Sequence, residues 1–244
     1  MNRSIPPRTA MVLAAGLGKR LRPITDTMPK PLVPIAGRTL LDRGLDALAA
    51  AGVAKAVVNV HHFPEQIARH LASRAVPSIV ISDESGGLLD SAGGVVKALA
   101  ELGSEPFYIL NADTFWIDRG ESSLKRLALA WDHERMDILV MLADPSAATG
   151  HSGGTDFLIK GDARLVRSNG AADGLIYAGA AIVHPRIFAG ATATPHSLNL
   201  YFDRAIARGR LFGMKMGGQW ITVGTPDGIP LAERTIALAA QQAS

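Results

Sequence analysis

Residues 9–34 leave this chain few ways to fold. A short apolar run, Ala10–Ala15, ends at Gly16; Gly18, Lys19, Arg20 and Arg22 follow, and Lys30 comes next between Pro29 and Pro31. The run has the length of a buried strand. Glycines directly after a strand let the backbone turn tightly and approach a ligand, because no Cβ intervenes. Successive N–H groups in such a loop form an anion-binding concavity. Lys19, Arg20, Arg22 and Lys30 then supply enough positive charge for an anion as dense as a triphosphate. A glycine turn followed by solvated basic residues would share the composition, but not the order of glycines, Arg-Leu-x-Pro and Pro-Lys-Pro.

Two common phosphate loops are excluded. A dinucleotide fingerprint requires a third glycine where Leu21 stands. A Walker A loop requires Ser or Thr where Arg20 stands, and Gly where Leu13 stands.

Downstream, apolar runs alternate with helical periodicity. Strands are predicted at Ala10–Ala15, Ala56–Val60, Ser78–Ser82, Phe107–Leu110 and Asp137–Leu142. Helices are predicted at Thr39–Ala51, Pro64–Ser73, Ala92–Leu102 and Glu121–Arg135, with Gly52 placed to end the first. This alternation predicts an α/β fold with a mainly parallel sheet and right-handed crossovers. Ligands of such sheets lie at the carboxyl ends of strands. The glycine loop leaves one such end, and Asn111-Ala112-Asp113 leaves another.

Beyond Ala147 the pattern breaks into short strands and turns. A strand candidate follows at Leu175–Pro185, then a helix at Ser197–Arg208, a strand at Leu211–Met216 and a closing helix at Pro226–Gln242. No Pro/Ser linker interrupts the chain. The expectation is one domain over 1–244, with a first half of about 8–145 and a second half of about 146–244.

Composition narrows the function. The chain has 244 residues, 48% of them hydrophobic, which is ample for a core of this length. With no Cys there is no disulfide and no thiolate chemistry, which fits a reducing, cytoplasmic setting. No apolar run reaches membrane-spanning length. The opening residues carry early arginines ahead of a short apolar run, so no signal peptide is expected. A net charge of +3, without basic runs and interleaved aromatics, does not point to nucleic acid. The histidines show no zinc or metalloprotease spacing, and no Gly-x-Ser-x-Gly elbow is present.

The opening stretch resembles that of the sugar-phosphate nucleotidyltransferases. Their motif, Leu-Ala-Ala-Gly-x-Gly-x-Arg-Leu/Met-x-Pro-Leu/Ile-Thr and then Pro-Lys-Pro, stands here as Leu13 to Thr25 and Pro29 to Pro31. The resemblance covers nearly the whole chain. It is strongest to the short single-domain uridylyltransferases of cell-wall sugar recycling, with short mannose-1-phosphate guanylyltransferase-like proteins next. It implies a Rossmann-like, GT-A-like fold and transfer of a nucleotidyl group from an NTP, expected to be UTP, to a sugar 1-phosphate, in a monomer or small homo-oligomer.

Site residues carried over by the resemblance fall into three sets. Arg20, Lys30 and Asp113 are the expected catalytic residues, with Asp113 holding Mg²⁺. Read on its own residues, Asp113 is equally suited to capping a turn. Leu13, Ala14, Ala15, Gly16, Leu17, Gly18 and Lys19 are expected to bind nucleotide, with Leu89, Ser91, Ala92 and Gly93 at the base. Asp90 stands where the family more often has Gly or Glu. Asn111, Gly154, Asp156, Asn169 and Gly179 are expected on the sugar, Gly179 within a Tyr/Phe-x-Gly motif.

One departure stands out. The family's closing motif is Trp-x-Asp-Val-Gly-Thr-Pro, whose Asp shares the metal. Here it reads Trp220 to Pro226 with Thr222 in place of that Asp. A hydroxyl is a weaker ligand for Mg²⁺ than a carboxylate. The metal can rest on Asp113, triphosphate and waters; Asp156 or Asp227 can substitute; or the protein can be a nucleotide-sugar sensor. The first reading is favoured, since the rest of the motif set is intact.

Overall fold

A computed structural model describes residues 6–242, so the reading of the first five residues and of the final Ala243 and Ser244 lies outside the described residues. In chain order, β1 (Thr9–Leu13) is followed by a small hairpin of β2 (Pro34–Ile35) and β3 (Arg38–Thr39). Next come α1 (Leu40–Ala50), β4 (Lys55–Val60), α2 (Pro64–Leu71), β5 (Ser78–Asp83), α3 (Asp90–Leu102), β6 (Phe107–Asn111), β7 (Thr114–Ile117), α4 (Ser123–Ala130) and β8 (Ile138–Ala143). The remainder comprises β9 (Ala148–Thr149), β10 (Phe157–Ile159), β11 (Leu165–Arg167), β12 (Ile176–Val183), α5 (Asn199–Ala207), β13 (Leu211–Lys215), β14 (Gln219–Thr222) and α6 (Gly228–Gln242).

The main sheet has seven strands in the order β13-β8-β12-β6-β1-β4-β5. Strands β6, β1, β4 and β5 pair in parallel, as do β13 and β8. Only β12 runs against its neighbours β6 and β8. The expected mixed, mainly parallel α/β sheet is therefore present. One detail differs from simple alternation: β8 does not lie beside β6, because β12 enters between them from the later part of the chain. Its residues explain why. Ala178, Ala180 and Ile182 pack on one side of the sheet and Ala181 and Val183 on the other. A strand buried on both faces belongs in the middle of a sheet.

The same two-sided pattern runs through the sheet. Val12, Val58, Leu110 and Met141 face α1, α2 and α4, which contribute Leu41, Leu45, Leu48, Ile67 and Leu127. Met11, Val57, Ile109 and Val140 face α3 and α5, which contribute Val95, Leu102, Tyr201 and Phe202. A third cluster, with Leu21, Ile35, Phe115, Ile221 and Val223, lies around a small sheet of order β7-β14-β9 and α6. That small sheet is not evident from the sequence, because its strands are too short to show periodicity. Trp220 of β14 instead packs into the core of the main sheet, 3% exposed, with its indole N–H on the Ala178 carbonyl at 3.0 Å.

Helix ends follow local chemistry. The Thr39 hydroxyl accepts from the Asp42 N–H at 3.0 Å to cap α1, and Gly52, with φ 87°, ends it. Helix α4 is shorter than the expected 121–135. It stops at Ala130, where Trp131 takes an extended conformation and is buried. The Asp132 carboxylate then accepts from the Glu134 N–H and its carbonyl from the Met136 N–H, making the turn into β8. Helical periodicity continues through this segment, but burying Trp131 and starting β8 end the helix. Among the described residues, no helix is long and apolar enough to cross a membrane.

Candidate active site

The carboxyl ends of β1 and β6 and the start of α3 enclose a cavity of about 250 Å³. Leu13, Ala14, Ala15 and Gly16 form one wall, Asn111, Ala112 and Asp113 another, and Leu88, Asp90 and Ser91 a third, with Lys30 at its edge. The glycine loop and the Asn-Ala-Asp segment thus meet because β1 and β6 are neighbours in register, Leu13 beside Asn111.

Lys30 reaches into this cavity from a single 3₁₀ turn, Lys30–Leu32, begun by Pro29. Its ammonium lies 2.9 Å from Asp113 Oδ2, and the lysine side chain is only 11% exposed against 41% for the aspartate. Gly18 makes this approach feasible. It sits in the left-handed region at φ 62°, and a Cβ there would come within 3.1 Å of Lys30 Cβ and 2.9 Å of Thr25 Cγ2. By contrast, a Cβ on Gly16 would meet nothing within 4 Å. The backbone there is open to the cavity.

Behind the wall lies a buried polar relay that sequence reasoning missed. Asn59, at the end of β4 and 2% exposed, accepts the Ala14 N–H on Oδ1 at 2.7 Å. Its amide donates to Glu84 Oε1 at 2.7 Å, and Glu84 Oε2 accepts the Leu89 N–H at 3.1 Å. Glu84 is 1% exposed. The relay ties the glycine loop to the segment that opens α3. A polar residue ending an apolar strand reads in sequence as a solvent boundary, so nothing marked either residue as buried.

A second recess, of about 210 Å³, adjoins the first and shares Ser91 and Asn111 with it. Asp156 and Tyr177 line it. Asp156 Oδ2 accepts the Tyr177 N–H at 2.8 Å. The Tyr177 hydroxyl is buried and has no hydrogen-bond partner among the described residues. Burial, aided by the negative charges of Asp156 and Asp113, pushes its pKa up, so it stays a protonated donor. Gly179 stands at an irregularity of β12, between Tyr177 and Ala181, with φ 78°. A Cβ there would come within 2.5 Å of Thr114 Oγ1 and 3.1 Å of Asn111 Cβ. This glycine lets β12 close against Asn111, and its contribution to the site is through that approach.

Other expected residues lie elsewhere. Leu17, Lys19 and Arg20 continue the loop without lining the cavity; Lys19 and Arg20 are exposed. Arg20 lies beside Gly224 of the closing motif, whose Cβ would come within 3.6 Å of its guanidinium. Leu89 caps α3 and spends its N–H on Glu84. Ala92 and Gly93 are turned away from the cavity. Their N–H groups donate to the His196 carbonyl, and a Cβ on Gly93 would strike the Thr194 carbonyl. Their small size serves packing against the 192–197 loop. Gly154 and Asn169 line neither recess; Asn169 is exposed in a left-handed turn at φ 48°. Asp90 is also left-handed, φ 58°, which gives a physical reason for the glycine common at that position in the family.

Thr222 ends β14, and the next residue, Val223, donates its N–H to the Asp113 carbonyl at 3.3 Å. The closing motif therefore does run beside Asp113. Among the described residues there is no group of three or more His, Cys, Asp or Glu able to hold a metal ion. The donor set still suits a hard divalent cation completed by substrate. Asp113 presents one oxygen that has no bond to protein, and Mg²⁺ usually takes one or two carboxylates together with phosphate oxygens and waters.

The sequence profile of the MobA-like NTP transferase domain matches residues 10–203. The chain belongs to this family. An N-acetylmuramate alpha-1-phosphate uridylyltransferase of Caulobacter vibrioides is 42% identical over 237 residues, covering 95% of this chain and 98% of the relative. A protein of the same name from Neisseria meningitidis serogroup B is 31% identical over 219 residues, covering 88% and 93%. Mannose-1-phosphate guanyltransferases match more distantly, that of Neurospora crassa at 30% over 89% of this chain and 61% of its own length. Among solved structures, the inositol-1-phosphate CTP transferase from T. maritima superposes with a TM-score of 0.77 over 93% of this chain and 96% of its own, at 18% identity. That likeness shows the fold. The resemblance to short sugar-phosphate nucleotidyltransferases is borne out, and the MobA-like chain is a nucleotidyltransferase.

Proposed function

We propose that this protein transfers a uridylyl group from UTP to N-acetylmuramate 1-phosphate, releasing pyrophosphate. The observation that carries the reading is the Lys30–Asp113 pair at 2.9 Å, set in the cavity between the glycine loop and the second recess. Similarity over nearly the full length of two uridylyltransferases supports the choice of base and sugar. Nucleotide would occupy the half of the molecule built from about residues 8–145, and sugar the half from about 146–244. A cytoplasmic location agrees with the lack of cysteine and with a nucleotide substrate.

In the reaction, an oxygen of the sugar phosphate attacks the α-phosphorus, a new P–O bond forms, and the bond to the β-phosphate breaks as pyrophosphate leaves. The protein's contribution is alignment and charge stabilisation. The loop Leu13–Gly16 would receive the nucleotide phosphates on its backbone. Lys30 would exchange Asp113 for the phosphates and meet the charge that develops on them. Lys19 and Arg20 would clamp the leaving pyrophosphate. Asp113 would hold Mg²⁺, which when bound supplies Lewis-acid neutralisation of the phosphate oxygens. Asn111, Asp156 and Gly179 would frame the sugar. Aligning two anions in this way can supply about 7–11 kcal/mol of barrier reduction.

The test is a matrix of UTP, dTTP, GTP, CTP and ATP against several sugar 1-phosphates, read by pyrophosphate release. The highest kcat/KM is expected for UTP with N-acetylmuramate 1-phosphate. Preference for GTP with mannose 1-phosphate would move the protein to the guanylyltransferase reading. Thr222 favours one further reading, a nucleotide-sugar sensor with a weakened metal site. Nucleotide binding without turnover on any sugar phosphate would establish that instead.

A further inference from the structure

The second recess carries a cation that the chemistry at phosphorus does not use. Arg167, at the end of β11, lines it together with Asp156, Tyr177 and Asn199. Its guanidinium carbon lies 4.9 Å from the centre of the Phe157 ring. Nε donates to Asp203 Oδ1 at 2.8 Å, and Nη2 donates to Asn199 Oδ1 at 3.0 Å and its carbonyl at 3.5 Å. Nη1 has no partner among the described residues. A guanidinium resting on an aromatic ring and anchored by two of its nitrogens has its plane fixed in advance. Its free Nη1 N–H groups are preset to donate, and a carboxylate oxygen would make a charge-assisted hydrogen bond with them.

The other polar groups of the recess favour different parts of a sugar. Asp156 is an acceptor already oriented by the Tyr177 N–H, suited to hydroxyl or amide N–H groups. The Tyr177 hydroxyl is a neutral donor without a partner. Arg167 is the only cationic residue lining this recess among the described residues. Asp203 does not cancel it for a ligand, because that carboxylate is 60% exposed and holds the Nε edge.

We propose that Arg167 selects for a carboxylate carried on the sugar ring, so that the site prefers an N-acetylhexosamine 1-phosphate bearing an ether-linked carboxylate over its neutral parent. This rests on the reading of the adjoining cavity as the uridylyl-transfer site. The experiment compares N-acetylmuramate 1-phosphate with N-acetylglucosamine 1-phosphate, each with UTP, in the unmodified protein and in Arg167→Met and Arg167→Lys. Methionine keeps the apolar contact with Phe157 and removes the charge. The ratio of the two kcat/KM values should favour the acidic sugar in the unmodified protein. In Arg167→Met that ratio should fall about tenfold to a hundredfold, the worth of a hydrogen bond to a charged group, through KM for the acidic sugar. Arg167→Lys should recover part of it. Equal losses for both sugars, or an unchanged ratio, would overturn the assignment and leave Arg167 a packing residue. If Arg167→Met melts early, the ratio in Arg167→Lys against the unmodified protein decides, since a point charge without the planar fork should still lower it. An unmodified protein that turns over neither sugar would overturn the activity reading itself, a result distinct from failure of the Arg167 assignment.

Discussion

At the scale of single residues, the proposed chemistry centres on the pairing of Lys30 with Asp113. The two neutralise each other at 2.9 Å; under the proposed function, anionic phosphates and a cation would separate them and give each a partner of its own. Lys19 and Arg20 are exposed on the same loop, and under the proposed function they would remain available for ground-state binding. Lys30→Ala should therefore lower kcat far more than it raises KM for the nucleotide, by a transition-state cost of about 2.7–4 kcal/mol, as for other preorganised charge contacts. Steady-state kinetics separate the two, and a raised KM with near-normal kcat would remove Lys30 from the reacting phosphates. Thr222 bears on the other partner. Its strand runs beside Asp113, and a carboxylate at this position would offer the metal a second charged oxygen. Thr222→Asp should lower the Mg²⁺ concentration that gives half-maximal rate. A folded variant needing the same or more Mg²⁺ would show that residue 222 does not share the metal.

At the scale of elements, the loops that form the cavity are held by the ends of strands rather than by their own sequence. The Asn59–Glu84 relay joins the end of β4 to the glycine loop and to the cap of α3. Removing the amide leaves the buried Ala14 N–H and one Glu84 oxygen without partners, each at a cost of about 1–3 kcal/mol. Asn59→Ala should lower Tm and raise KM for the NTP while KM for the sugar phosphate changes little. Equal changes in both would mean that the relay serves stability alone. This relay also marks where sequence reading stops. The strands at 9–13 and 107–111 and the loop between Gly16 and Lys30 were legible, because apolar runs and glycines report their own conformation. The insertion of β12 between β6 and β8 was not, since strand order depends on contacts far apart in the chain. Ala92 and Gly93 read as room for a base, but the group they make room for is the Thr194–His196 backbone. Arg167 lay in a segment that read only as short strands and turns.

At the scale of the whole molecule, the sheet is tied at the end opposite the cavity by one buried carboxylate. Asp137 precedes β8 and is 4% exposed. Its Oδ1 accepts from Arg186 Nε at 2.7 Å and from Arg210 Nε at 2.9 Å. Its carbonyl accepts the His184 N–H, and its own N–H donates to the Arg210 carbonyl. The start of β8, the end of β12 and the start of β13 are thus fastened together, and the antiparallel strand is locked between its parallel neighbours. Burial pushes the Asp137 pKa up, but hydrogen bonds from Arg210 and Arg186 and their charges outweigh it and hold the carboxyl below its ordinary value. A carboxyl with a depressed folded pKa binds its proton more readily in the unfolded chain. Its stabilisation is complete above the unfolded value of about 3.9 and is lost as pH falls through the folded value. Asp137→Asn should therefore destabilise the protein at pH 7, by about 1.5–3 kcal/mol for the charged hydrogen bonds weakened. The gap to the unmodified protein should narrow as pH drops below about 4. Urea unfolding of both proteins from pH 7 to pH 3 measures it. A gap that stays constant over that range would mean that Asp137 stabilises the junction through its shape and not through its charge.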